Sequence, residues 1–164
     1  GDAGVVEPSG RSQRYGIDFS ARYQILDKLF ADIDFNWANP RSVDDPDGEN
    51  FIPLAPRFTT VGGLTLVGPQ GFNGSLRYRY LATRPANEDN SIEAKGYFVA
   101  DLQLNYTKKN WEIGLNLQNL LNTRWKETQF ATESRLFDEV EPVEEIHFTP
   151  GTPFFGRASF TLFF

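Results

Sequence analysis

The densest set of oxygen donors in the chain is Asp44-Asp45-Pro46-Asp47-Gly48-Glu49-Asn50. Carboxylates and a side-chain amide around a glycine turn are the ligands that a hard cation such as Ca²⁺ takes. The twelve-residue spacing and closing bidentate glutamate of a calcium loop are missing, and Pro46 stands inside the run. A solvated acidic loop is the competing reading. A second acidic set, Asp138, Glu139, Glu141, Glu144 and Glu145, either solvates its own loop or meets a cationic or metal-bearing ligand. The ligand-binding candidates are therefore Asp44, Asp45, Asp47, Glu49, Glu144 and Glu145. His147 is the one histidine and cysteine is absent, so zinc chemistry and thiolate catalysis lack their residues. Nothing resembles a nucleophile with its base, a P-loop or a dinucleotide fingerprint. No catalytic residue, metal centre or cofactor is expected, and the chain does not read as an enzyme.

The elements that must hold these loops are signalled by composition first. The 164 residues are those of a single domain, with 15 phenylalanines and a net charge of −6. Mean hydropathy is only −0.43 despite the aromatics. No apolar run approaches the ~20 residues of a spanning helix. Strands with one greasy and one wet face produce this combination, in a transmembrane barrel or in a soluble sheet. Acidity argues against a nucleic-acid partner, which needs clustered Lys and Arg. With no methionine, residue 1 is not a translation start, so a processed or excised piece of something longer is expected.

Period-two alternation then predicts about seven strands. After a lead-in loop at 1–11, Tyr15, Ile17, Phe19, Ala21, Tyr23 and Ile25 alternate with polar residues. A turn at Leu26-Asp27-Lys28 leads into Leu29, Ala31, Ile33, Phe35 and Trp37, placing Ile25 near Leu29 and Arg22 opposite Asp32 on the polar face. Residues 39–51 are expected as a long acidic loop. The third strand, 57–67, is interrupted in pattern by Gly62-Gly63. A turn at 68–71 pairing Leu66 with Phe72 sets Thr60 and Gly62 opposite Tyr78 and Leu76. Residues 84–95 form the next long loop. Strands at 98–106 and 111–118 follow, joined at Lys108-Lys109-Asn110, and Asn119-Leu120-Leu121-Asn122 breaks the alternation as a bulge does. Residues 126 to about 152 are read as the longest loop. The last strand runs to Phe164, with Phe160, Leu162 and Phe164 on the apolar face and Arg157 on the polar one. Arg22, Arg77, Arg79 and Arg157 all face the polar side, where they either brace the wall through Arg–Asp ladders, the preferred reading, or touch a passing substrate.

Connections alternate short and long, which puts every tight turn at one end of a meander and every long loop at the other. Outer-membrane barrels have this asymmetry. Tyr23, Phe72, Tyr106, Trp111 and Phe164 fall toward the short-turn end, and Tyr15, Trp37, Tyr80 and Phe98 toward the long-loop end. Two such bands match the aromatic girdles of the membrane interfaces. The fold class is therefore all-β: an antiparallel up-and-down meander forming part of a transmembrane β-barrel.

Several stretches resemble one family. Ile52-Pro53-Leu54-Ala55-Pro56-Arg57-Phe58-Thr59 resembles the proline-arginine segment of TonB-dependent outer-membrane receptors, and Gly96-Tyr97-Phe98-Val99-Ala100-Asp101-Leu102 resembles their strand after a polar loop. Asn119-Leu120-Leu121-Asn122 with Trp125 is similar to their asparagine-leucine-aromatic-asparagine signature. Pro150-Gly151-Thr152-Pro153 and terminal Phe164 resemble their closing strand. Leu121 and Trp125 stand where Phe and Tyr are commoner, and Phe154 where Arg is common, which leaves the ligand class undecided.

The resemblance implies that residues 1–164 are a C-terminal barrel segment, in a family where a plug fills a barrel of about 22 strands. It implies import of a scarce nutrient (metal chelate, vitamin or glycan) across the bacterial outer membrane. Implied partners are outer-membrane lipid, the remaining barrel and plug, TonB through N-terminal parts that these residues do not include, and the barrel-assembly machinery. Phe160, Leu162 and Phe164 resemble the assembly signal that machinery reads. Seven strands leave two raw edges, to be met by pairing, swapping, a strand from residues 1–11 or a larger assembly. The alternatives are a small self-contained outer-membrane barrel of structural or adhesive role, and a soluble β-domain binding an apolar ligand.

Overall fold

The structure is a computed structural model that describes residues 10–164. The lead-in loop expected at 1–11, and any strand it adds, lies outside the described residues except for Gly10 and Arg11. In chain order the strands are β1 (Ser12–Leu26), β2 (Leu29–Ser42), β3 (Phe58–Val67), β4 (Phe72–Leu81), β5 (Arg84–Pro85), β6 (Glu93–Ala94), β7 (Tyr97–Thr107), β8 (Trp111–Gln118), β9 (Lys126–Ser134), β10 (Val143–Pro150) and β11 (Phe155–Leu162). Seven of them form one sheet in the order β1-β2-β3-β4-β7-β8-β11, each antiparallel to its neighbours. Strands β1 and β11 are its free edges among the described residues.

Register keeps one apolar face throughout. Across the sheet, Ala21 faces Ile33, Leu64 faces Leu76, Leu76 faces Leu102, and Ile113 faces Phe160. Aromatic pairs run along the long-loop side of this face: Tyr15–Trp37 at 6.2 Å, Phe35–Phe58 at 6.0 Å and Phe58–Tyr80 at 6.0 Å between ring centres. At the turn side Trp111 contacts Tyr106 at 5.6 Å and Phe160 at 6.4 Å. Among the described residues the buried apolar ones are Val99 and the small Ala38, Ala86, Ala94 and Ala100. Phe19, Tyr23, Leu76, Phe98 and Phe160 stay exposed. Among the described residues the large apolar side chains of the sheet thus lie mostly on its surface rather than in a core.

Strand β3 runs through Gly62 and Gly63 as expected, and each is crossed by a long side chain from β4. The outer-edge carbon and hydroxyl of Tyr78 lie 3.0 and 3.1 Å from where a Gly62 Cβ would stand, and the Cδ of Arg77 lies 3.0 Å from the same point on Gly63. Four expectations change. The β3–β4 pairing sits two residues from the expected one, with Leu66 opposite Gly74, Thr60 opposite Tyr80 and Gly62 opposite Tyr78. The turn is the reason: Gln70 and Gly71 adopt left-handed φ of 60° and 92° in a 3-10 turn, which carries its centre one residue toward β4. At the first hairpin Leu26, not Ile25, closes against Leu29, with a register irregularity between Gln24 and Leu26. The 119–122 break is no bulge but a strand-ending corner, in which Asn122 N donates to Asn119 O at 2.8 Å and both asparagines are left-handed. Finally, the long loops are not structureless. Strand β2 runs on to Ser42, β5 pairs with β6, and β9 pairs with β10 in a long hairpin where an irregular loop was expected.

Candidate functional site: the mouth formed by the long loops

The tight turns at 27–28, 68–71 and 108–110 lie at one rim of the sheet, and the connections 43–57, 82–96 and 119–154 at the other. Backbone bonds join the first two long loops: Phe51 N donates to Glu88 O at 3.0 Å and Leu54 N to Pro85 O at 2.8 Å. The third loop is fixed to the second by Gln129, which is 2% exposed. Its amide copies a backbone pair, the oxygen accepting from Lys95 N and the nitrogen donating to Lys95 O, both at 2.8 Å. Asn87 adds a bond from Nδ2 to Glu144 Oε2 at 3.2 Å.

The asparagine signature builds the corner from which the third loop leaves. Asn119 N donates to Asp101 Oδ1 at 2.8 Å. Its Nδ2 donates to the carbonyls of Thr123 and Thr152, at 2.8 and 3.0 Å, while its Oδ1 accepts from Thr123 N at 2.9 Å. Trp125 donates from Nε1 to Thr152 O at 3.0 Å and packs on Tyr97 with ring centres 4.7 Å apart. Gly151 lies directly on the indole, where a Cβ would stand 2.1 Å from Cε2. Every polar group of Asn119 is thus used, which is what keeps a side chain this buried stable.

Three loops border an open hollow of about 590 Å³ lined by Asp45, Pro46, Glu49, Asn87, Glu88, Asp89 and Glu144. Of the six sequence candidates it gathers Asp45, Glu49 and Glu144. Asp44 is turned away: its Oδ1 pairs with Arg11 Nη2 at 2.6 Å, and its Oδ2 accepts from Arg11 N at 2.7 Å. The Arg11 side chain, and then the Arg11 N–H, hold this carboxyl below the usual carboxylate range. Asp47 accepts from Asn50 at 3.3 Å, and Glu145 lies 4.0 Å from His147. His147 stacks on Phe130 across the hairpin at 5.9 Å, a packing role. The sequence candidates do not include Asn87, Glu88 and Asp89, which form with Asn90 a short acidic turn readable in the chain. Ser91 holds Asp89 low, first through its N–H and then through its hydroxyl. Among the described residues no three His, Cys, Asp or Glu side chains converge in a way that could hold a metal ion.

On the polar face Arg22 stands opposite Asp32 as expected, yet its ion pair runs diagonally to Asp34 at 2.9 Å. Asp32 is taken by Arg77, which reaches it from β4 across Gly63, and Arg79 lies 3.8 Å from Asp101. Arg157 faces Asn116.

A sheet with one continuous apolar face, all tight turns on one rim and interlocked loops on the other is a section of up-and-down β-barrel wall. The chain belongs to the TonB dependent receptor-like, beta-barrel family, whose model matches residues 2–120. That family consists of transport receptors rather than enzymes. Among solved structures, the chain resembles the ferric yersiniabactin uptake receptor FyuA from Yersinia pestis, with 17% identity and a TM-score of 0.69 over 94% of this chain and 24% of that one. It also resembles the ferric-catecholate import receptor Fiu from E. coli K12, at 17% identity and TM-score 0.70 over 99% and 23%. The copper transporter OprC gives 18% and 0.61 over 90% and 23%. Identities this low speak for the fold alone, and the chain spans about a quarter of the length of these proteins. No curated protein matches the sequence.

Proposed function

We propose that residues 1–164 are the C-terminal barrel segment of a TonB-dependent receptor in the outer membrane of a Gram-negative bacterium. The intact protein imports a scarce nutrient, namely a metal chelate, a vitamin or a glycan. The observation that carries this reading is the rim asymmetry of a one-sided seven-stranded sheet, seen in a member of this family. The chain supplies wall and three loops. The remaining barrel and the plug complete the receptor, and TonB acts through parts that lie N-terminal to these residues. The apolar face meets lipid, and the acidic hollow is the part of the mouth offered to ligand. Phe160 and Leu162, opposite Ile113 and Trp111 and well exposed, form with Phe164 the signal read by the barrel-assembly machinery. Free edges weigh against a small self-contained barrel, and the scarcity of large buried side chains weighs against a soluble domain.

Residues 1–164 contain no cysteine, so with any cysteine elsewhere in the protein replaced, single cysteines placed here report topology cleanly. In whole cells producing the full-length protein, an impermeant maleimide is expected to label Asp45→Cys, Asn90→Cys and Val140→Cys but not Lys28→Cys, Gln70→Cys or Lys109→Cys. Equal labelling of both sets in intact cells overturns the proposal.

A further inference from the structure

The sequence holds one Asp-Gly step, Asp47-Gly48, and one Asn-Gly step, Asn73-Gly74. In both, the glycine nitrogen can attack the carbonyl carbon of the preceding side chain, because glycine has no Cβ to shield that nitrogen. In an unstructured chain the asparagine amide reacts faster than the aspartate carboxyl. The fold reverses that order.

Asn73 and Gly74 lie in β4 between β3 and β7, with Gly74 opposite Leu66 on one side and Leu104 on the other. A Cβ on Gly74 would stand 2.9 Å from Leu104 Cδ2, so this peptide is hemmed in as well as paired. Asp47 and Gly48 are exposed, in a turn closed by Glu49 N donating to Pro46 O at 3.1 Å. Gly48 has a left-handed φ of 98°, and no atom lies within 4 Å of where its Cβ would stand. The Asp47–Gly48 peptide plane therefore has room to rotate, the motion that brings Gly48 N onto Asp47 Cγ. Asn50 Nδ2 donates to Asp47 Oδ1 at 3.3 Å. That bond polarises the carbon under attack, as a donor to a developing oxyanion does, and leaves Oδ2 as the oxygen that departs.

We infer that Asp47 is a site of spontaneous isomerisation to isoaspartate, with water the only co-reactant. Gly48 N bonds to Cγ of the protonated carboxyl; its proton and the Oδ2 hydroxyl leave together as water, closing a five-membered imide. Water then adds to the ring. Breaking the Cγ–N bond restores aspartate. Breaking the bond from the main-chain carbonyl carbon to that nitrogen yields isoaspartate, in which the chain runs through Cβ and Cγ and the old carbonyl is the free carboxylate. Mass is unchanged, but one more carbon separates Pro46 from Glu49, both of which line the acidic hollow. The border of the hollow thus changes with the age of the molecule.

For the test, the full-length protein is held in detergent at neutral pH and body temperature for several weeks, with heat-modifiable migration on a gel confirming that it stays folded. Peptide mapping with electron-transfer fragmentation tells the two linkages apart at equal mass. It is expected to find isoaspartate accumulating at 47 while Asn73 keeps its amide. Asp47→Asn puts the same dipeptide in both places, so that only the fold distinguishes them. Deamidation at 47 should then outrun that at 73 about a hundredfold or more, because Gly74 is freed only when an interior strand opens. In chain unfolded with urea the two rates should converge. Gly48→Ala, which puts a methyl group beside the attacking nitrogen, should slow the wild-type reaction about tenfold. The inference is overturned if Asp47 stays aspartyl through the incubation, if 47 and 73 react at equal rates in the folded variant, or if the contrast persists undiminished in urea. The wild-type result decides the matter even if a variant does not fold.

Discussion

Gly63 stands between Asp32 and Arg77 in register, and because it has no side chain the arginine lies across β3 to reach its carboxylate on β2. A Cβ there would stand 2.2 Å from Leu76 O as well as against the Arg77 stem. Gly63→Val should therefore destabilise the sheet by about 1–3 kcal/mol through overpacking, read as a lower urea midpoint in detergent, while Val61→Thr on the same face should change it little. Asp44 is a second residue-scale case. Its folded pKa is depressed by Arg11, so the contact contributes above the unfolded value of about 3.9 and is lost as pH falls through the lower folded value. An NMR titration should place the Asp44 midpoint below that of a free aspartate, and Arg11→Gln should return it upward. The sequence showed Asp44 as a possible ligand because the residue that occupies it lies 33 positions away, a distance over which composition carries no information.

The strands of the main sheet were legible because each has one apolar and one polar face, which writes a period of two into the sequence. The β9–β10 hairpin was not. Phe130, Ile146 and Phe148 are scattered among charged residues on a ribbon with no extensive apolar face to bury, so the contrast that reveals a strand is weak. The hairpin is tied to the second loop by Gln129, bonded to both backbone groups of Lys95, with the Asn87–Glu144 bond beside it. Gln129→Leu removes both bonds to the Lys95 backbone, at a cost of about 1 kcal/mol for each. Hydrogen exchange should then rise across 126–150 and at Lys95, with protection in β1 to β4 unchanged. Unchanged exchange in the hairpin would mean that Gln129 does not hold it. The corner at Asn119 was half legible: its residue types stood out, whereas its action as a hub for Asp101, Thr123 and Thr152 depends on contacts between elements.

At the scale of the molecule, the meander and the placement of loops and turns could be read from connection lengths, while the joining of three loops around one hollow could not. That joining rests on hydrogen bonds between residues such as Asn87 and Glu144, 57 positions apart. The two free edges make a further expectation: the 164-residue chain refolded alone in detergent should sediment as an oligomer, and a well-behaved closed monomer would contradict the open sheet. The strand count also sets a rule of direction. Strands β1 and β11 are the first and seventh of an alternating series, so both run from the loop rim toward the turn rim. Joined to each other they would make a parallel seam in an otherwise antiparallel wall. A second copy standing the same way up would meet the same obstacle at both of its seams. The wall closes with every neighbour antiparallel only if the added strands begin and end with ones running from the turn rim to the loop rim. A same-way-up twin begins and ends with strands running the other way, so it is ruled out as the piece that completes an antiparallel ring.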